Sequence, residues 1–185
     1  MKRTIGLNFL NFNNEHRPII VLSVERMEEV VFSSVFFEIL KDEISKSNGL
    51  EGELSKWKDA SPEEIYAQLF PITLHLSTYY TYKSVYGYGY ANDDIIRLNT
   101  KYLSTYKLFN DIHLMLVGSN LLHEHSHNKG FDHDFKNTLR RKNSLSYILN
   151  RAYERAYRQI FNLSVPVVKP VAVSIPWYKR AFRWF

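Results

Sequence analysis

The stretch LLHEHSHNKGFDHD, residues 121–134, packs four histidines, Glu124 and Gly130 into a short run. Residues four apart on a helix share a face, so His123 and His127 point the same way and can offer two imidazole nitrogens to one metal ion. Glu124 follows about 100° around the axis and reaches a water on that metal without being a ligand. This is the physical content of an H-E-x-x-H string: two zinc ligands and a general base. Two ligands hold zinc weakly, and the residues that follow supply the remedy. Glycine just past a helix's last turn takes up the left-handed conformation and reverses the chain, so Gly130 brings His133 back as a third ligand. Three histidines with an open fourth position is the arrangement of a catalytic rather than a structural zinc site. His125, about 200° around the axis from His123, cannot join the same metal and is expected on the surface or behind the ligands.

Upstream of this stretch, Leu108, Ile112, Met115, Leu116, Ser119 and Leu122 keep helical spacing, which extends the helix back towards Ser104. Before it, Ile72–Ala91 is rich in Thr, Tyr and Val and predicts a strand, followed by a turn at Asn92-Asp93-Asp94 and a second strand over Ile95–Asn99. Gly87 and Gly89 within the first strand mark either the close approach of another backbone or a bulge. Ser61-Pro62-Glu63-Glu64 predicts a helix start with a capping box, running to about Phe70. Further back, the apolar run RPIIVLSV, Arg17–Val24, predicts a buried strand entered at Pro18, and Glu25–Ser47 one long amphipathic helix. Downstream, Ser146–Phe161 predicts the last helix. Residues 1–160 therefore form one domain, and 161–185, with three prolines and a basic-aromatic end, form an extended tail.

The composition agrees with this outline. A chain of 185 residues with 45% apolar and 15% aromatic residues can bury one core and is not a disordered polyelectrolyte. No cysteine is present, which removes disulfides, thiolate zinc sites and cysteine nucleophiles, and leaves His and carboxylate to hold any metal. The opening segment is interrupted by Asn8, Asn11, Asn13 and Asn14, unlike a signal peptide, and no window reaches a membrane span, so a cytoplasmic protein is expected. The net charge of +5 gathers between Lys136 and Arg158 and at the C-terminus. A solvated basic face explains it more simply than nucleic-acid binding.

The string His123-Glu124-x-x-His127-x-x-Gly130-x-x-His133 resembles the signature of the metzincin metallopeptidases. Asn128 and Asp134 extend the likeness towards the adamalysin branch, and Gly130-Phe131 towards the astacins. The order of a YGY strand, an LN strand, the H-E-x-x-H helix and a late Ser-x-x-Tyr is also similar to that of small, uncharacterised metallopeptidases of bacteria and phages. The resemblance implies an α+β fold: a single zincin domain with a small mixed sheet, a long N-terminal helix and an active-site helix. It also implies a Zn²⁺ cofactor on His123, His127 and His133, and Glu124 as general base for a zinc-activated water. A peptide or protein substrate is then expected along the strand Tyr82–Ala91. One element of the family pattern is missing: all three methionines, Met1, Met27 and Met115, lie upstream of the third ligand, so there is no Met-turn. Ser144-Leu145-Ser146-Tyr147 stands in its place, either with Leu145 beneath the site and the Tyr147 hydroxyl towards the metal, or simply as a helix start capped by Ser144 or Ser146. Asp132 and Asp134 flank the third ligand, where one of them holds a ligand histidine or both are solvated.

Two other functions compete. The bacterial rRNA-maturation endoribonucleases carry a similar string, H-G-x-x-H-x-x-G-Y-D-H, and Gly130-Phe131-Asp132-His133 differs from its end only in Phe131. Glutamate at position 124, where that family has glycine, favours the peptidase. A non-catalytic, zinc-stabilised binding protein has no use for a base at that position. His16, His75 and His113 are isolated and are expected to be ordinary hydrogen-bonded side chains.

Overall fold

A computed structural model describes residues 4–47, 50, 53, 57–83, 85–91, 93–134 and 138–164. The chain opens with strand β1 (Gly6–Phe9), then helices α1 (Arg17–Val31), α2 (Ser34–Lys46) and α3 (Pro62–Leu69). Strands β2 (Thr73–Tyr79), β3 (Gly87–Tyr90) and β4 (Asp93–Asn99) follow. Helices α4 (Thr100–Leu103), α5 (Asp111–Asn128), α6 (Leu139–Lys142) and α7 (Leu145–Ile160) complete the described chain. The fold is α+β, with one four-stranded mixed sheet in the order β1-β2-β4-β3. The first three strands in that order run parallel, and β3 returns antiparallel to β4 as the edge strand.

Two expectations for the N-terminal third are overturned. Arg17–Val24 is not a strand but the first half of α1, and Pro18 stands in that helix's first turn rather than at a strand entry. The buried residues of α1 are Ile19, Ile20, Ser23, Val24, Met27, Val30 and Val31, a 3.6-residue period that the β-branched run had masked. The long helix over Glu25–Ser47 is in fact two. Ser33 breaks it, its hydroxyl donating to the Val30 carbonyl at 2.6 Å and accepting the Phe36 N–H at 3.1 Å, so that it caps α2. The single strand over Ile72–Ala91 is likewise divided into β2 and β3, and β4 begins at Asp93, inside the expected turn. The loop between β2 and β3 is pinned by buried Asn99, whose amide donates to Thr81 O at 3.1 Å and Val85 O at 2.9 Å.

Elsewhere local chemistry acts as expected. Ser61 and Glu64 form a reciprocal capping box at the start of α3. Helix α7 buries Leu145, Ile148, Leu149, Ala152, Tyr153, Ala156 and Tyr157 along one face, against α5 and α2. Helix α5 is central, packed by α1, α7, β3 and β4. Gly118 lets α7 come close, because a Cβ there would collide with the Tyr153 hydroxyl. Leu74, Leu76, Ile96 and Leu98 of the sheet join the same core. No helix among the described residues is long and apolar enough to cross a membrane. The tail from residue 165 onwards lies outside the described residues.

Candidate metal centre

The C-terminal half of α5 is buried on all sides at His123, Glu124, His125 and Ser126. The helix ends in a Schellman turn: Phe131 N–H bonds Ser126 O at 3.1 Å and Gly130 N–H bonds His127 O at 2.9 Å. Gly130 has φ +88°, the left-handed conformation expected of it, and the chain reverses there to carry His133 back. His123 Nε2 lies 3.3 Å from His127 Nε2 and 3.3 Å from His133 Nε2, and the ligand atoms of the three rings all fall within 4.8 Å of one another.

Hydrogen bonds on the far sides of the rings set their tautomers. A carbonyl oxygen only accepts, so His127 Nδ1 donates to Phe131 O at 2.9 Å and His133 Nδ1 donates to Asp134 O at 3.0 Å. Their Nε2 atoms are then bare lone pairs turned towards His123. One proton on His123 Nε2 can satisfy only one of its two 3.3 Å contacts, so hydrogen bonding alone does not explain the cluster. The two 3.3 Å separations match the roughly 3.3–3.4 Å between neighbouring nitrogens on a tetrahedral ion with arms of about 2.0–2.1 Å, so the three rings could hold one metal ion. Burial, and then the neighbouring rings His127 and His133, hold His123 well below the ordinary imidazole range. Burial also lowers His127 and His133, against the carbonyls that accept from them. Neutral imidazoles are the form that ligates.

Glu124 shares the cleft with the three rings. Its carboxyl is pushed up to about 7 by burial, which outweighs the stabilising N–H of Gly89, donated to Oε2 at 2.8 Å. Both readings of the strand glycines meet here. The register between β3 and β4 shifts between Tyr88 and Tyr90, and a Cβ on Gly89 would stand 2.5 Å from the Glu124 carbonyl oxygen. The cleft, about 1100 Å³, runs between β3 on one side and His133, Arg141 and Tyr147 on the other.

Tyr147 packs its ring 4.9 Å from that of His123 and 5.1 Å from that of His133, with the Arg141 guanidinium 5.1 Å from its own ring centre. Leu145 is fully buried. Ser144 occupies the N-cap position of α7 without a side-chain cap bond, and Ser146 bonds Ser126 of α5, hydroxyl to hydroxyl, at 2.7 Å.

Of the two places expected for His125 the structure excludes the surface: it is buried, with Nε2 3.1 Å from Leu69 O of α3. Asp134 meets His133 through its main-chain carbonyl, while its carboxylate receives the Thr138 hydroxyl at 3.4 Å. Asp132 accepts the His133 N–H at 2.7 Å. His113 is an ordinary acceptor for Lys107 N–H at 2.8 Å. No motif or spacing points to Glu53, whose carboxylate accepts the Asp132 N–H, or to Trp57, whose ring lies 5.1 Å from that of Phe131. No spacing rule links residues so far apart in the chain.

The chain matches no known family model, no curated protein and no solved structure.

Proposed function

We propose that the chain is a zinc-dependent metallopeptidase of metzincin-like type, with His123, His127 and His133 as ligands and Glu124 as general base. The observation that carries this reading is the convergence of three imidazole nitrogens, all within 4.8 Å of one another, in one cleft with a carboxyl group pushed up to about 7. An all-imidazole donor set in a chain without thiols suits zinc.

Zinc held there would polarise a scissile carbonyl and acidify water. The residues of the chain perform the remaining tasks. Glu124 uses Oε2 to accept the Gly89 N–H and keeps Oε1 to take a proton from the attacking water and pass it to the leaving amine. A carboxyl with a pKa of about 7 can do both near neutral pH. Tyr147 offers its hydroxyl to the oxygen that becomes negative in the transition state. An extended peptide adds to the outer edge of β3, within the stretch Tyr82–Ala91, through main-chain hydrogen bonds. Glutamate at position 124 supports peptide rather than RNA hydrolysis, because the similar string of the rRNA-maturation endoribonucleases carries glycine there, whereas a metallopeptidase needs a general base at that position.

Metal analysis of the purified protein, beside His133→Ala and Glu124→Ala, tests the reading. Wild type is expected to carry one zinc per chain and His133→Ala to lose it. Glu124→Ala is expected to keep zinc while peptide hydrolysis falls by about 10²–10⁴-fold. Zinc-free wild type, or RNA cleavage that survives Glu124→Ala, would overturn it.

A further inference from the structure

We infer that Glu53 is a positioning residue of the metal centre, acting on His127 and His133 through a single peptide unit; the inference rests on the metal-binding reading above. Glu53 is completely buried, and a carboxyl group withdrawn from water is costly unless it is hydrogen-bonded. Its Oε1 accepts the Asp132 N–H at 2.7 Å. That N–H belongs to the same planar unit as the Phe131 carbonyl, and a trans peptide points the two groups in opposite directions. The Phe131 carbonyl accepts from His127 Nδ1 at 2.9 Å. Carboxylate, peptide and imidazole therefore form one line, Glu53 at one end and the ligand nitrogen of His127 at the other.

Ligand histidines commonly donate their second nitrogen to a carboxylate or a carbonyl, which fixes ring and tautomer and makes the ligand more basic. Here the two partners are placed in series. An acceptor on the N–H of a peptide strengthens its carbonyl as an acceptor, because hydrogen bonds in a chain polarise one another. The next residue completes the arrangement, since Asp132 accepts the His133 N–H at 2.7 Å. Glu53 thus holds the residue that stands between the second and third ligands.

The support of Glu53 is built to keep it there. Its own N–H bonds Leu50 O at 2.8 Å, and Leu50 is buried with φ +66°. Trp57, four residues on, lies against Phe131, which is itself buried. The Gln68 amide adds a contact to Lys129 O at 3.4 Å at the start of the turn. Glu53, Trp57 and Gln68 therefore grip the turn that delivers His133, although they contribute no ligand.

The test uses the full chain with Glu53→Ala, Glu53→Gln and Glu53→Asp. Zinc affinity is measured by competition with a chromophoric chelator, and the His127 tautomer by long-range proton–nitrogen NMR of the metal-free protein. Glu53→Ala is expected to weaken zinc binding by about 10–100-fold and to convert His127 from the Nδ1–H form to a mixture. Glu53→Gln keeps an acceptor oxygen at the same reach and is expected to stay near wild type in both. Glu53→Asp withdraws the oxygen while keeping the charge, and should lose affinity; it carries the test if the Ala variant does not fold. Unchanged tautomer and affinity in the Ala and Asp variants would overturn the inference, as would a Gln variant as weak as Ala. Wild type that binds no zinc would instead refute the proposed function, and the tautomer of the metal-free variants would still decide the role of Glu53.

Discussion

The turn at the end of α5 and the edge strand β3 both depend on a glycine, for opposite reasons. Gly130 is needed for its backbone: φ is +88°, and a Cβ there would find its nearest neighbour, Trp57 Nε1, at 3.9 Å. Gly89 is needed for its emptiness: a Cβ would stand 2.5 Å from the Glu124 carbonyl oxygen and 2.6 Å from Asn128 Oδ1. The first requirement is local and concerns how one helix ends. The second exists only because a strand far away in the chain lies across that helix. One side of the cleft is therefore specified by short-range geometry and the other by tertiary packing, and the two should fail differently.

Metal gives the largest expected separation between them. Zinc at a thousand times its dissociation constant should stabilise the fold by about 4 kcal/mol. The gain in amide-exchange protection should concentrate at Gly130–His133, and equal protection of β3 would show that the two sides are not separate. Gly89→Ala should come next, at about 1–3 kcal/mol in thermal or denaturant unfolding, because the atoms it meets include main chain that cannot step aside. Gly130→Ala should cost about 1–2 kcal/mol, the strain of a left-handed L-residue, with no clash to relieve. A Gly130 variant more damaging than the Gly89 variant would reverse the comparison.

The smallest effect belongs to neither side. Burial works to raise the Glu43 carboxyl, but hydrogen bonds from Arg151 and Arg155 outweigh it and leave the group below its usual range. A carboxyl depressed in the folded state stabilises above its unfolded pKa, about 4.5, and that contribution disappears as pH falls through the lower folded value. The stability gap between wild type and Glu43→Gln should therefore be widest at neutral pH and close progressively below about pH 4.5. Zinc binding should be unaffected, and a shift in zinc affinity would tie the α2–α7 contact to the metal centre.

The same division explains what could be read from the sequence. His123, His127, Gly130 and His133 were legible because a helical turn and a Schellman cap fix their relation within eleven residues. The capping box at Ser61 and Glu64 was legible for the same reason. Ile19-Ile20-Val21 misled because β-branched residues favour strands in isolation, whereas here the helix they form is stabilised by packing on α5. Ser33 was overlooked as a break because the apolar spacing continues on both sides of it. Gly87 and Gly89 announced something unusual in β3, but only the fold shows Asn120 beneath the first and Glu124 beneath the second. Glu53 was silent, since its partner is the main chain of Asp132, 79 residues away.

Gly118 does not line the cleft, yet the Tyr153 ring fitted over it sets the separation of α5 and α7. Ser126 and Ser146 join the same two helices again beside the ligands, at 2.7 Å. His123 and His127 on one helix and Tyr147 on the other are in this sense mounted on a common chassis, while His133 hangs from the turn beyond it. The opposite jaw, the described part of the loop before β3, hangs instead from Asn99, whose side chain donates to Thr81 O and Val85 O and whose own N–H donates to Tyr86 O at 2.8 Å, and from Lys101, which reaches Tyr82 O at 2.9 Å.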